Sequence, residues 1–221
     1  MMRVKIVTFY DEAMRAVGDA TSAINRQYAE AHDYDFICHR IKLNTNLHAS
    51  WNKLSMILGA LNDCDWTFWI DADAVFVNNS KSLHDLLNNA QKPMLISAGP
   101  GLPGISEVCC GVFAIKACLW SVQFLISWLF LGNRTARARE RLDPIYRWEQ
   151  DTFKIMLEDF SSIRDNVDII PESIVQNPHS PFCPEALIMH YWYSGRGQYS
   201  EQILTPLNTL ANLKRYTPEC R

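Results

Sequence analysis

An apolar strand that runs straight into two carboxylates limits what this chain can become. Trp66-Thr67-Phe68-Trp69-Ile70 is aromatic or β-branched throughout, the composition of a buried strand. Asp71-Ala72-Asp73 follows at once. Carboxylates that close repel, and each raises the other's pKa unless a cation lies between them. A hard divalent ion with oxygen ligands, Mg²⁺ or Mn²⁺, itself bound to phosphate oxygens, meets that need. A solvated turn with two surface aspartates is the plain alternative for a bare D-x-D.

The surrounding sequence alternates strand with helix. Strands are predicted at Arg3–Phe9, Tyr34–Ile41, Pro93–Ala98, Val108–Lys116, Val167–Ile170 and Leu187–His190. Helices are predicted at Gly18–His32, Trp51–Leu61, Leu83–Asn89, Leu119–Leu131, Trp148–Phe160 and Gln202–Lys214. Ser50 reads as the cap of the second helix. The Gly/Pro-rich run 99–104 reads as a connector, since no Lys-Ser/Thr follows it to make a phosphate cradle. The basic stretch 132–146 reads as a solvated loop that can serve as a lid, and Asn177-Pro178-His179 as another loop. The pattern is α/β, a doubly wound, mostly parallel sheet flanked by helices, in one domain over residues 1–221. Ligands of such sheets bind at the carboxyl ends of strands, where Thr8, Phe9, Tyr10 and the two aspartates fall.

Composition excludes several partners. A net charge of −3 gives no electrostatic case for nucleic acid or an anionic membrane. The apolar run 118–131 is too short to span a bilayer. The cysteine count is seven, an odd number with no zinc-type spacing, which predicts free thiols in a reducing compartment. With a strand starting at Arg3, the expectation is a soluble, cytoplasmic protein of bacterial or viral type, without a signal peptide or membrane span.

Several blocks, in one order, resemble the galactosyl-, xylosyl- and mannosyltransferase family of GT-A glycosyltransferases. They are Val4–Tyr10 with Asn25-Arg26-Gln27-Tyr28-Ala29 and Tyr34-Asp35; Trp51-Asn52-Lys53-Leu54; Trp69-Ile70-Asp71-Ala72-Asp73-Ala74; Gly111-Val112-Phe113-Ala114-Ile115-Lys116 with Trp120-Ser121; Glu149-Gln150-Asp151; and His190-Tyr191 with Gly195. The chain departs from that pattern in three ways. Cys109 stands where the family has Asn, Asp33 where it has Gly, and Gly195 comes five residues after His190 rather than three. The membrane anchor of the eukaryotic members is also missing.

The resemblance implies the GT-A fold and a nucleotide-sugar donor (UDP- or GDP-sugar) whose sugar passes to a glycan or glycoprotein hydroxyl. It implies that Asp73 ligates Mn²⁺ or Mg²⁺, that Asp71 is shared between metal and donor, and that His190 closes the metal site. Thr8, Phe9 and Tyr10 would meet the nucleoside. Lys53 would support the donor or the carboxylates, and Arg196 would pair with a phosphate oxygen. Glu149, Gln150 and Asp151 would face the sugar, one acid serving as general base in an inverting reaction. In a retaining one, Gln150 and a carboxylate would hold an oxocarbenium-like centre. Plain alternatives are a strand-end histidine for His190 and a surface lysine for Lys53. Two other functions fit parts of the sequence. Asp71-Ala72-Asp73-Ala74-Val75 matches the first motif of haloacid-dehalogenase-type phosphatases, with Asp71 as nucleophile. A carbohydrate-binding relative without turnover would also keep the fold.

Overall fold

The structure, a computed structural model, describes residues 2–43, 47–99, 108–139, 148–171, 176–177 and 186–191. Its main sheet has six strands: β1 (Val4–Phe9), β2 (Asp35–His39), β3 (Trp66–Ile70), β5 (Met94–Ala98), β6 (Val108–Lys116) and β7 (Val167–Ile170). Their order is β2-β1-β3-β6-β5-β7. The β1–β2, β1–β3 and β5–β7 pairs are parallel, and β6 runs antiparallel to both of its neighbours. A second sheet, absent from the sequence reading, joins β4 (Ala74–Phe76), β8 (Gln176–Asn177) and β9 (Ile188–His190) in the order β4-β9-β8. Residues 176–177 are thus strand rather than loop.

The main sheet is covered on both faces, because β3 sends alternate side chains to opposite sides. Trp69 joins a core with Trp51, with Leu54 and Ile57 of α2 (Asn52–Ala60), Phe124 and Trp128 of α4 (Leu119–Arg139), and Phe153 of α5 (Glu149–Asp159). Trp66, Phe68 and Ile70 join the other core, with Tyr28 of α1 (Arg15–Ala31), Leu83 and Leu87 of α3 (Leu83–Asn88), and Phe76 and Ile188 of the small sheet. A short α6 (Ser161–Arg164) leads into β7.

Two local readings are corrected. The helix expected to stop at Leu131 continues to Arg139, so residues 132–139 are helix rather than loop. Gly132 packs against α2's entry: a Cβ there would lie 1.8 Å from the buried Trp51 ring. Ser50 is not a cap either. His48 caps a 3₁₀ turn at Ala49–Trp51 by accepting from the Ser50 N–H, and α2 runs on from that turn. The expected helix 202–214 lies outside the described residues.

One face of α1 holds the segment that follows β3. Thr21, Asn25 and Tyr28 lie on one helix stripe. Thr21 Oγ1 donates to the Ala72 carbonyl at 2.7 Å. Asn25 donates to the Ala74 carbonyl and accepts from the Phe76 N–H, each at 3.0 Å, so its amide acts as a surrogate strand beside β4. Tyr28 stacks on Phe76 at 3.8 Å and donates its hydroxyl to the Lys81 carbonyl. Asn25→Ala leaves a buried carbonyl and a buried amide without these partners. At ~1–3 kcal/mol per orphaned group, the expected loss is about 2–6 kcal/mol. Urea unfolding checks it: the midpoint should fall with the slope unchanged.

Candidate functional site

The turn Asp71-Ala72-Asp73 is fixed from three sides before any side chain is considered. The Asp71 N–H donates to the Gly111 carbonyl of β6 at 2.8 Å, the Ala74 N–H donates back to the Asp71 carbonyl, and the Tyr191 N–H donates to the Asp73 carbonyl at 2.8 Å. The last bond extends the antiparallel β4–β9 ladder, in which Ala74 faces His190. That pairing carries the imidazole to Asp73: His190 Nε2 lies 3.2 Å from Asp73 Oδ1. Asp71, Asp73 and His190 offer one ligand atom each, all within 4.8 Å of one another. Two carboxylate oxygens and an imidazole nitrogen form a donor set suited to Mn²⁺.

Close packing holds the imidazole in place. Gly111 of β6 is buried against it, and a Cβ there would lie 2.1 Å from His190 Cε1. Cys109 Sγ is 3.8 Å from Nδ1 on the other side of the ring. Burial works against charge on His190, but the Asp73 carboxylate outweighs it and holds the pKa well above the usual histidine value. Burial likewise opposes charge on Asp73, and His190 prevails, lowering its pKa. Asp71 goes the other way: burial raises its pKa, with Lys53 opposing and Asp73 adding to the rise.

Lys53 is the buried cation of the site. Its Nζ lies 2.6 Å from Glu149 Oε1, 3.1 Å from Asp71 Oδ1 and 2.9 Å from the Cys110 carbonyl oxygen. Burial would strip its proton, but the two carboxylates outweigh that and raise its pKa. Glu149 is as buried, and Lys53 keeps its pKa low against the pull of burial. The Trp69 indole N–H adds a 2.6 Å bond to Asp71 Oδ1.

An open cleft of about 150 Å³ lies over this group. Phe9 and Tyr10 line it together with Asp11, Lys53, Asp71 and Asp73. Tyr10 is clamped in place. Its hydroxyl donates to Asp19 at 2.7 Å and accepts from Arg40 at 2.8 Å, the Arg40 guanidinium sits 4.2 Å over its ring, and Gly18 packs against that ring.

The structure therefore brings Phe9, Tyr10, Lys53, Asp71, Asp73, Glu149 and His190 together. Thr8 is fully buried beneath the cleft wall, with its hydroxyl unpartnered. Gln150 accepts from the Cys110 N–H at 2.8 Å, which ties the start of α5 to β6. Asp151 Oδ2 is buried without a hydrogen bond, and burial raises the pKa of that carboxyl. Arg196 lies outside the described residues. Trp69, as a partner of Asp71, and Gly111, as the floor under His190, are site residues beyond the sequence reading. A glycine inside an otherwise bulky buried strand is the signal that marks such a close approach.

The doubly wound sheet with this site at its strand ends is a GT-A fold. A solved glycosyltransferase involved in glycosylation of the major capsid of PBCV-1 superposes with a TM-score of 0.70 at 16% identity, covering 92% of this chain and 99% of that one. The galactosyltransferase LgtC, solved in complex with donor and acceptor sugar analogs, gives 0.57 at 12% identity over 97% and 98% of the two chains. Residues 10–96 match the model of the galactosyl transferase GMA12/MNN10 family, so the resemblance carried by the sequence blocks holds over that stretch. Galactomannan galactosyltransferase 1 of Cyamopsis tetragonoloba is 28% identical over 115 residues, 49% of this chain and 26% of that protein. The chain spans about a quarter of the length of the curated relatives it matches. Among the described residues, no helix is long and apolar enough to cross a membrane.

Lys53→Met tests the electrostatic reading of the site. It leaves Asp71 and Glu149 buried without their cation, a loss of about 3–5 kcal/mol. In the variant, burial acts on Glu149 against hydrogen bonds from Ser50 and its own N–H alone, and it should lift the folded pKa above the unfolded one. The penalty is complete above the folded pKa and vanishes as pH falls below the unfolded value. Thermal melts should show a larger Tm gap from wild type at pH 7.5 than at pH 5.5. An equal gap at both would refute the assignment.

Proposed function

We propose that the protein is a metal-dependent glycosyltransferase that moves a sugar from a nucleoside-diphosphate sugar, UDP- or GDP-linked, to a hydroxyl of a glycan or glycoconjugate. The observation that carries this reading is the Asp71–Asp73–His190 cluster at the mouth of a cleft walled by Phe9 and Tyr10. Those three residues would hold Mn²⁺ or Mg²⁺, which when bound offsets the charge that develops on a diphosphate leaving group. The wall of Phe9 and Tyr10 receives the nucleoside, with Thr8 supporting it from below. Arg196 is assigned to a phosphate oxygen on the sequence resemblance alone.

The start of α5 is where the acceptor chemistry is assigned. Asp151 has an unpartnered carboxylate oxygen, and burial raises its pKa, which makes it a stronger proton acceptor than a free aspartate. Gln150, anchored through its oxygen to β6, keeps its amide hydrogens for the sugar side. We place the whole chain, 1–221, in one catalytic domain acting in a reducing, cytoplasmic setting. None of the five described cysteines is in a disulfide, in keeping with that setting. The GT-A fold gives the phosphatase alternative no support.

Thermal shift with UDP and GDP, with and without Mn²⁺, tests the reading. The right nucleotide at a hundred times its Kd should stabilise the protein by about 2.7 kcal/mol, and only with the metal present. Asp73→Asn should abolish that shift while leaving the melting point of the free protein near wild type. Slow hydrolysis of the cognate nucleotide sugar should accompany binding. Binding without hydrolysis would identify a carbohydrate-binding relative, and stabilisation that survives EDTA would sink the metal claim.

A further inference from the structure

Glu149 opens α5 beside Gln150 and Asp151, yet it does not line the cleft; its carboxylate is buried against Lys53 through Oε1, with Oε2 buried and without a hydrogen bond. It is 3% exposed, its Oε1 is 2.6 Å from Lys53 Nζ, and its backbone carbonyl accepts from the buried Trp128 indole N–H at 2.9 Å. Lys53 is also 3% exposed. Its other carboxylate partner, at 3.1 Å, is Asp71, a member of the metal cluster.

Resting on the glycosyltransferase reading, we infer that Glu149 is a positioning residue that keeps Lys53 from neutralising Asp71, and that it is not the proton acceptor of the transfer. The argument is a count of charge. A histidine that ligates a metal gives up its second proton, so with the ion bound Asp71, Asp73 and Glu149 bring three negative charges and Lys53 one positive charge. The group therefore presents two net negative charges to a divalent ion. Remove Glu149, and Lys53 keeps Asp71 as its sole carboxylate partner, so the group presents one. Geometry agrees with the count. Lys53 and Trp69 both engage Asp71 Oδ1, which leaves Oδ2 as the oxygen that neither uses. Glu149 draws Lys53 to itself at the shorter distance, and the ammonium is held off Oδ2. A cation beside a carboxylate weakens its hold on a second cation, and more so in a low-dielectric interior.

The test is Mn²⁺ titration by calorimetry on the full chain, with donor hydrolysis measured alongside. Wild type should bind Mn²⁺. Glu149→Gln should raise the Mn²⁺ Kd about tenfold or more, the scale of one unit charge removed from such a site. The double variant Lys53→Met/Glu149→Gln restores two net negative charges. It should bind Mn²⁺ within about threefold of wild type. Hydrolysis by Glu149→Gln should recover to within about tenfold of wild type once Mn²⁺ is raised to saturation. Should Glu149→Gln fail to fold, the double variant carries the test alone, since the net charge of its site equals that of wild type. Mn²⁺ affinity unchanged in Glu149→Gln, or a double variant that binds Mn²⁺ about tenfold or more weakly than wild type, overturns the inference. So does hydrolysis by Glu149→Gln that stays a hundredfold or more down at saturating Mn²⁺, the mark of a lost general base. If wild type itself binds no Mn²⁺, the metal reading falls and takes this inference with it.

Discussion

The pairing of β4 with β9 is the contact on which the site depends. Three residues on each side bring Ala74 opposite His190, and one further backbone bond ties Tyr191 to Asp73. So short a ladder is not stable alone. It persists because both of its flanks are occupied. On one side Asn25 supplies hydrogen bonds to β4 in place of a neighbouring strand, and on the other β8 completes the small sheet. The ligand set is therefore a product of tertiary structure, since α1 holds the strand that holds the histidine.

Charge balance is the second constraint. Three carboxylates around one cleft would repel one another without a cation inside the protein. Lys53 supplies it from α2, a helix buried on nearly every side, with Asn52, Lys53, Leu54, Met56 and Ile57 all inaccessible. A buried ion group of this kind adds little net stability compared with an apolar core. What it provides is orientation: Asp71 is held by a lysine, an indole N–H and a backbone amide before any ligand arrives. Preorganisation of that kind lowers the cost of binding a divalent ion.

Much of this was legible in the sequence, for physical reasons that differ by residue. The strands β3, β6 and β7 have the bounds that the sequence predicts; in β3 burial on both faces leaves no polar position to blur an end. Asp71 and Asp73 could be named because an apolar strand ends on them; His190 came from the family resemblance, and its strand belongs to the small sheet rather than the main one. The small sheet could not be read, since β4 and β8 have three and two residues and owe their conformation to partners far away in sequence. By periodicity alone Lys53 is an ordinary helix lysine, since periodicity says nothing about which charge finds a buried partner; the resemblance set it beside the donor or the carboxylates. Residues 132–139 read as loop because the packing of Gly132 against Trp51 is visible only in three dimensions.

Gly111 carries a consequence for anyone who would engineer this chain. A glycine in the middle of a buried strand is the kind of position that stability-guided redesign selects first, because alanine or a β-branched residue there raises strand propensity and fills space. In this strand the space is already occupied by an imidazole, 2.1 Å from where the new methyl carbon would sit. A variant improved in that way would evict His190 from Asp73 to make room. Its melting point could rise as its affinity for a divalent ion fell, and a screen that scored heat resistance alone would select for the loss.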